Sequence, residues 1–234
     1  MTVDKVALVT AAGKGMGAAI ARELASTGYR VALMSPSGSA VALAKELGGF
    51  GIAGSVTEDA DIERFVNETL AKYGRIDAVV NNTGHPPKGD LLAIDDGKWH
   101  EGLDLIVLNV ARVLRRVTPV FLKQGGGAVV NISSFAADAP EQAMPVSSAL
   151  RAALSAFTRL YADRYAKDNI RINSMLPGFI DSWPETPDIV ARIPVGRFGK
   201  TREIAQTVAF LLSEGAGYIT GQNIRVDGGI VRAL

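Results

Sequence analysis

The residues best placed to do chemistry begin with a glycine loop. Thr10 to Gly17 reads T-A-A-G-K-G-M-G, following an apolar stretch and opening a helical one. Gly13, Gly15 and Gly17 let the backbone turn tightly and approach a pyrophosphate, with Lys14 and Met16 between them. The helix amino terminus behind them offers free N–H groups and the positive end of its dipole. A plain βα turn that favours glycine is the alternative, since a glycine pattern alone is weak. A second cluster ends the next strand, at Met34-Ser35-Pro36-Ser37. A site that prefers NAD carries an acid there for the ribose 2′-hydroxyl, and this chain has none. Lys14, Ser35 and Ser37 could receive a 2′-phosphate instead. The cofactor expected is therefore NADP(H) rather than NAD(H).

These groups need a frame to hold them. Short apolar runs over 5–10, 30–34, 49–53, 76–81, 128–132, 170–176 and 223–226 read as strands. Helical periodicity covers 15–26, 40–47, a segment from an N-cap at Thr57 to Tyr73, 99–122, 146–167, and one from a cap at Thr201 to Ser213. Gly125-Gly126-Gly127 stops the long fourth helix, and Pro177-Gly178 ends a strand. Apolar strands alternating with helices imply a parallel sheet covered on both faces. The fold class expected is α/β, a Rossmann-type doubly wound parallel sheet in three layers. With no repeat or linker, the 234 residues read as a single domain.

Composition narrows the functions. Hydrophobic residues make up 47% and charged residues 21%, as in ordinary globular proteins. A net charge of +1 offers no basic field, so no nucleic-acid partner is expected. The chain has no cysteine, which removes thiolate catalysis and disulfides. Two histidines, His85 and His100, do not make a metal site, and none is expected. No apolar run is long enough for a membrane helix, and Met1-Thr2-Val3-Asp4 does not read as a signal peptide. The expected location is the cytoplasm.

Further segments recur in order: Asn81-Asn82-Thr83-Gly84, Asn109 in a long helix, Asn131-Ile132-Ser133-Ser134, Pro177-Gly178, and I-T-G-Q-N-I-R-V-D-G-G over 219–229. With the glycine loop, they make the whole chain resemble the short-chain dehydrogenase/reductase family, in particular the 3-oxoacyl-carrier-protein reductases. The resemblance implies that Asn82, Thr83 and Gly84 pass under the adenine-side ribose and that Val56 touches the adenine, with Ser55 where the family has an acid. Pro177, Gly178 and Ile180 would lie on the nicotinamide side. Ser134 matches the serine that hydrogen-bonds the reacting carbonyl, or else closes a turn. Asn109 matches the asparagine of the proton relay, or else is a polar residue satisfied by backbone. Ala11 stands where the family has glycine, and Gly13 is expected to share the turn.

The family's Tyr-x-x-x-Lys falls, on this alignment, at Ser147-Ser148-Ala149-Leu150-Arg151, so serine replaces tyrosine and arginine replaces lysine. Tyr161 and Tyr165 lie several turns further along and are not expected to reach the site. A serine hydroxyl is far less acidic than a phenol, and arginine stays protonated. Arg151 can still bind ribose hydroxyls and place positive charge beside a developing oxyanion. General acid catalysis is worth about 10²–10⁴-fold, so ordinary ketone reduction should be slow.

Three readings are open. The substrate needs less help, being a small carbonyl, imine, conjugated alkene or an acid that pairs with Arg151. Or His85, whose pKa lies near neutrality, gives the proton. Or the chain binds cofactor as a sensor or assembly partner and catalyses little.

The segment 179–200 lies beyond the carboxyl end of a strand, where such sheets bind ligands. The resemblance makes it a short substrate lid. Phe179 and Trp183 line an apolar pocket there or pack the loop, while Lys88 and Arg151 favour an anion. The long helices over 99–122 and 146–167 match the elements through which family members pair. A homotetramer or homodimer is expected, with 223–234 in a second interface.

Overall fold

Five consecutive buried residues, Val6–Thr10, make the central strand β1. A strand apolar on both faces needs cover on both, and the chain supplies it. β2 (Arg30–Ser35) and β3 (Phe50–Ala53) extend the sheet on one side of β1. β4 (Ala78–Asn81), β5 (Gly127–Ile132), β6 (Ile170–Pro177) and β7 (Asn223–Val226) extend it on the other. The order is β3-β2-β1-β4-β5-β6-β7, every pair parallel. The sheet reverses direction of growth between β1 and β4, and a crevice opens beyond the carboxyl ends there. This computed structural model describes residues 4–232. The reading of Met1-Thr2-Val3 and the last two residues of the 223–234 interface lie outside them.

Two apolar cores flank the sheet. α1 (Gly15–Ser26), α2 (Ser39–Glu46) and α8 (Thr201–Leu212) cover one face, around Ile20, Leu24, Leu33, Val130 and Val208. α3 (Asp59–Tyr73), α5 (Asn109–Gln124) and α6 (Pro145–Tyr165) cover the other, around Leu8, Phe65, Val117, Phe121 and Ile172. The expected three-layer, doubly wound fold is present.

Several boundaries differ from the sequence reading, each for a local reason. Thr57 does not cap α3: its hydroxyl pairs with Ser55 at 2.8 Å, and Glu58 is the residue before the helix. Thr201 is the first residue of α8, and the Glu203 carboxylate accepts the Lys200 N–H at 2.7 Å. The long helix expected over 99–122 is interrupted. α4 (Asp96–Leu103) leads into a wider π-helical turn, Asp104–Leu108, before α5 begins at Asn109. Such turns insert a residue into a helix and re-aim the side chains beyond it. A four-residue helix, α7 (Pro187–Val190), has no apolar period to announce it.

The glycine loop differs in one position. Gly13 does not take the turn in place of the missing glycine; Ala11 itself adopts the left-handed conformation, φ 46°. Gly13 is needed for space, because a Cβ there would lie 2.0 Å from Ser39 Oγ. A left-handed residue with a Cβ costs about 1–2 kcal/mol. Ala11→Gly should therefore stabilise the fold by about 1 kcal/mol after the added chain entropy. In thermal unfolding this is a rise of about 2–4 °C. A lower melting temperature would contradict it.

Candidate active site

Strand ends and helix starts around the crevice build two adjoining halves. In the first, β1 and β4 are tied at their carboxyl ends. Thr10 Oγ1 donates to the Asn82 carbonyl at 2.6 Å and accepts the Asn82 N–H at 2.9 Å. Asn82 Nδ2 reaches the Ala11 carbonyl at 3.2 Å. Gly17 lies so close beneath that a Cβ would stand 2.3 Å from the Ala11 carbonyl oxygen. Gly15, at φ 54°, starts α1 with no acid in its first turn. The result is an open cradle at a helix amino terminus, which suits a pyrophosphate. Lys14 is exposed beside it.

Ser35 and Ser37 behave differently. The Ser35 hydroxyl is buried, donates to the Ser37 carbonyl at 2.8 Å and accepts the Ala40 N–H at 3.2 Å. Its role is to fold the turn. Ser37 Oγ is exposed and pairs with Ser39 Oγ at 2.6 Å. No acidic side chain follows β2 before α2. Val56 is buried after β3, and the Ser55 N–H donates to Asp61 at 2.9 Å.

The second half is a cavity of about 320 Å³. Met16, Asn82, Thr83 and Gly84 reach it from the cradle side. Ser134, Ser147, Arg151 and His85 share its wall, as do Pro177, Gly178 and Ile180. No tyrosine among the described residues lines it. Tyr161 lies in the core behind, bonded through its hydroxyl to Thr118 at 2.6 Å and 4.6 Å between rings from Tyr165.

Arg151 is the dominant group. It is 7% exposed, its Nε donates to Ser147 Oγ at 3.1 Å, and its Nη1 donates to the Ile132 carbonyl at 2.9 Å. No carboxylate among the described residues offsets its charge, and burial pulls its pKa down to about 10. It remains a cation at neutral pH. Ser134 is extended, and its Oγ accepts the Ala136 N–H at 3.2 Å, starting the short turn Phe135–Ala137. The hydroxyl thus closes a turn and faces the cavity at once.

Asn109 stands one layer back and is not on the wall. Its Nδ2 donates to the Leu105 carbonyl inside the π-helical turn, while its buried Oδ1 has no partner among the described residues. The interruption of the helix is what places that amide. His85 meets Trp183 edge to face at 4.6 Å, and Lys88 Nζ lies 4.3 Å over the same indole. Partial burial, then the charges of Lys88, Arg151 and Lys14, push the imidazole below its ordinary value.

The segment over 179–200 is tied at its base. Ile180 bridges Gly199, and the Asp181 N–H donates to the Gly199 carbonyl at 2.8 Å. Phe179 packs on Phe135 and Phe198 at 5.4 and 5.6 Å and lines the cavity as well. Sequence reasoning missed Glu141 and Arg192, which pair across the mouth of the cavity. Fifty-one positions separate them, and no local pattern links them. It also gave no role to Asn131, whose Nδ2 donates to Thr158 at 3.0 Å and ties β5 to α6.

Comparison with known proteins agrees with this fold. The profile of the family described as enoyl-(acyl carrier protein) reductase matches residues 10–231. A 3-oxoacyl-[acyl-carrier-protein] reductase of Staphylococcus aureus is 34% identical over 98% of this chain and 99% of its own. That of Escherichia coli is 34% identical over 97% of each. The chain belongs to the short-chain dehydrogenase/reductase family. It is an oxidoreductase of that type. The crystal structure of L-sorbose reductase from Gluconobacter frateurii, complexed with NADPH and L-sorbose, superposes with a TM-score of 0.89. It is 28% identical and covers 99% of this chain and 98% of its own. Among the described residues no helix is long and apolar enough to cross a membrane.

The electrostatics of His85 give a direct check. In an NMR titration its midpoint should fall below the ordinary value of about 6.5. Lys88→Ala should move it upward, because one of the charges that disfavours the imidazolium is gone. A midpoint at or above 6.5, unmoved by that substitution, would show that the wall does not carry the positive potential described.

Proposed function

We propose that the chain is an NADP(H)-dependent short-chain dehydrogenase/reductase with an atypical site, acting on a small carbonyl, imine or conjugated alkene without a phenol as proton donor. The observation that carries this reading is the buried Arg151–Ser147 pair on the wall of a cavity that no described tyrosine lines.

The glycine cradle suits a dinucleotide, since α1 starts there with no acid in its first turn and Gly17 lets the loop pack closely on the Ala11 carbonyl. When bound, the nicotinamide supplies or accepts hydride. Lys14 and Ser37, exposed with no acid beside them, support a 2′-phosphate; Ser35 contributes by shaping the turn. Thr83 Oγ1, buried and without a partner among the described residues, supports a ligand polar atom near it. Ser134 orients the reacting oxygen. Arg151, in the place of the family lysine, holds ribose hydroxyls or stabilises negative charge that develops on that oxygen. Ser147, in the place of the family tyrosine, is a hydrogen-bond donor and a weak acid. Asn109 stands behind them with a free acceptor. His85, neutral at pH 7, is better placed to accept a hydrogen bond than to give a proton. Self-association through α5 and α6 belongs to the same reading, with Leu122 and Leu160 exposed on them.

The test is cofactor oxidation, with NADPH and NADH compared, across ketones, imines and enoyl compounds. Turnover is expected with NADPH, strongest where the acceptor needs little proton assistance. The double variant Ser147→Tyr with Arg151→Lys should raise simple ketone reduction by roughly 10²-fold, the low end of general acid catalysis. No oxidation with any acceptor would leave only the sensor or assembly role. No gain in a folded double variant would overturn the placement of Ser147 and Arg151.

A further inference from the structure

The wall around Arg151 presents hydrogen-bond donors. Arg151 gives Nε to Ser147 and Nη1 to the Ile132 carbonyl, and its Nη2 meets no acceptor among the described residues. Ser147 Oγ already accepts from Arg151, so its own O–H is free to donate. Ser134 Oγ accepts from the Ala136 N–H and is left in the same condition. Lys88, at the mouth, lies over Trp183 and forms no ion pair among the described residues. The only carboxylate on the wall, among those residues, is Glu141, and Arg192 occupies it.

A buried cation without a counter-ion is costly. On the reading above, the cofactor phosphates would lie on the cradle at the start of α1 and on Lys14, away from Arg151. The nicotinamide ribose offers hydroxyls, which accept hydrogen bonds without neutralising charge. What the wall lacks is an anion with two acceptor oxygens. A neutral ketone would satisfy one donor and leave the charge exposed to the same apolar surroundings, among them Ile132 and Phe135.

We propose that this wall is an anion subsite and that the substrate is a small oxo acid. Its carboxylate sits on Arg151 Nη2 and the Ser147 hydroxyl, and its carbonyl oxygen faces Ser134. The carbonyl half rests on the oxidoreductase reading above, whereas the carboxylate half does not. A charge-assisted pair is roughly twice as strong as a neutral hydrogen bond, so the acid and its ester should differ clearly. The burial that pulls Arg151 down to about 10 leaves it charged wherever a carboxylate is also ionised.

Calorimetric titration of the protein, with and without NADP⁺, tests this. The probes are pyruvate, 3-oxobutanoate and 4-oxopentanoate, each against its methyl ester. NADP⁺ cannot reduce them, so binding is read apart from turnover. At least one acid should bind roughly tenfold tighter, or more, than its ester. Arg151→Gln should abolish that difference and Arg151→Lys should keep part of it. NMR should show the His85 midpoint rising when the acid binds, because a neighbouring cation has been neutralised. Acids that bind no better than their esters would overturn the proposal, as would a difference that survives Arg151→Gln. If that variant does not fold, the acid–ester comparison and the His85 shift in the unaltered protein decide the matter. Acid binding without cofactor oxidation would remove the oxo acid as the reduced substrate and keep the subsite. Oxidation with neutral acceptors alone would do the reverse.

Discussion

The site depends on a single buried guanidinium. Arg151 is enclosed by protein, bonded to a neutral hydroxyl and a neutral carbonyl, and paired with no acid among the described residues. Two neutral hydrogen bonds do not replace the water it has lost, which is why its pKa falls. The fold keeps it there by fixing both of its neighbours. Ile132 ends β5, and Ser147 lies one turn earlier on α6. Two turns beyond Arg151 on the same helix, Thr158 accepts from Asn131 and pairs with Ser174 at 3.0 Å. Asn81 completes the line, donating to Asn131 at 2.8 Å. This buried polar row crosses from β4 through β5 to α6 and β6. Each bond is worth about 1 kcal/mol net, yet leaving any one unmade would cost more. It locks the register of α6 against the sheet, and so the place of Arg151.

The other half of the site rests on a different constraint, close approach of backbones. Thr10 and Asn82 exchange hydrogen bonds across the point where the sheet reverses, and Gly17 fits beneath Ala11 with no room for a Cβ. The two halves meet along Asn82, Thr83 and Gly84, which border the cavity as well. A cofactor laid across the cradle and a substrate laid against Arg151 would therefore share a boundary built from one strand end. That arrangement would join cofactor binding to the proposed chemistry at the wall.

Much of this was legible in the sequence because it is local. Strand and helix periods, the glycine loop and the spacing from Ser134 to Ser147 and Arg151 are read within short windows, and the doubly wound parallel sheet follows from alternation and handedness. What escaped depends on distant parts or on backbone detail. The π-helical turn before Asn109 leaves the apolar pattern of a continuous helix intact. The left-handed Ala11 breaks the habit that assigns such turns to glycine. Glu141 and Arg192 meet only because the segment over 179–200 folds back. Ser35 looked like a free hydroxyl and is a turn-former. The spacing from Ser134 led the sequence reading to Arg151, but its lack of a counter-ion among the described residues needed every neighbour in place.

The proposed chemistry gives the substrate a fixed cation, Arg151, and no titrating acid. Single-turnover NADPH oxidation with an accepted substrate, followed across pH, tests that claim most directly. A fixed cation predicts a rate that is flat between about pH 5 and 9, because Arg151 keeps its charge throughout. A rate that instead falls as pH rises through the lowered His85 midpoint would contradict it, and would make the imidazolium the proton donor.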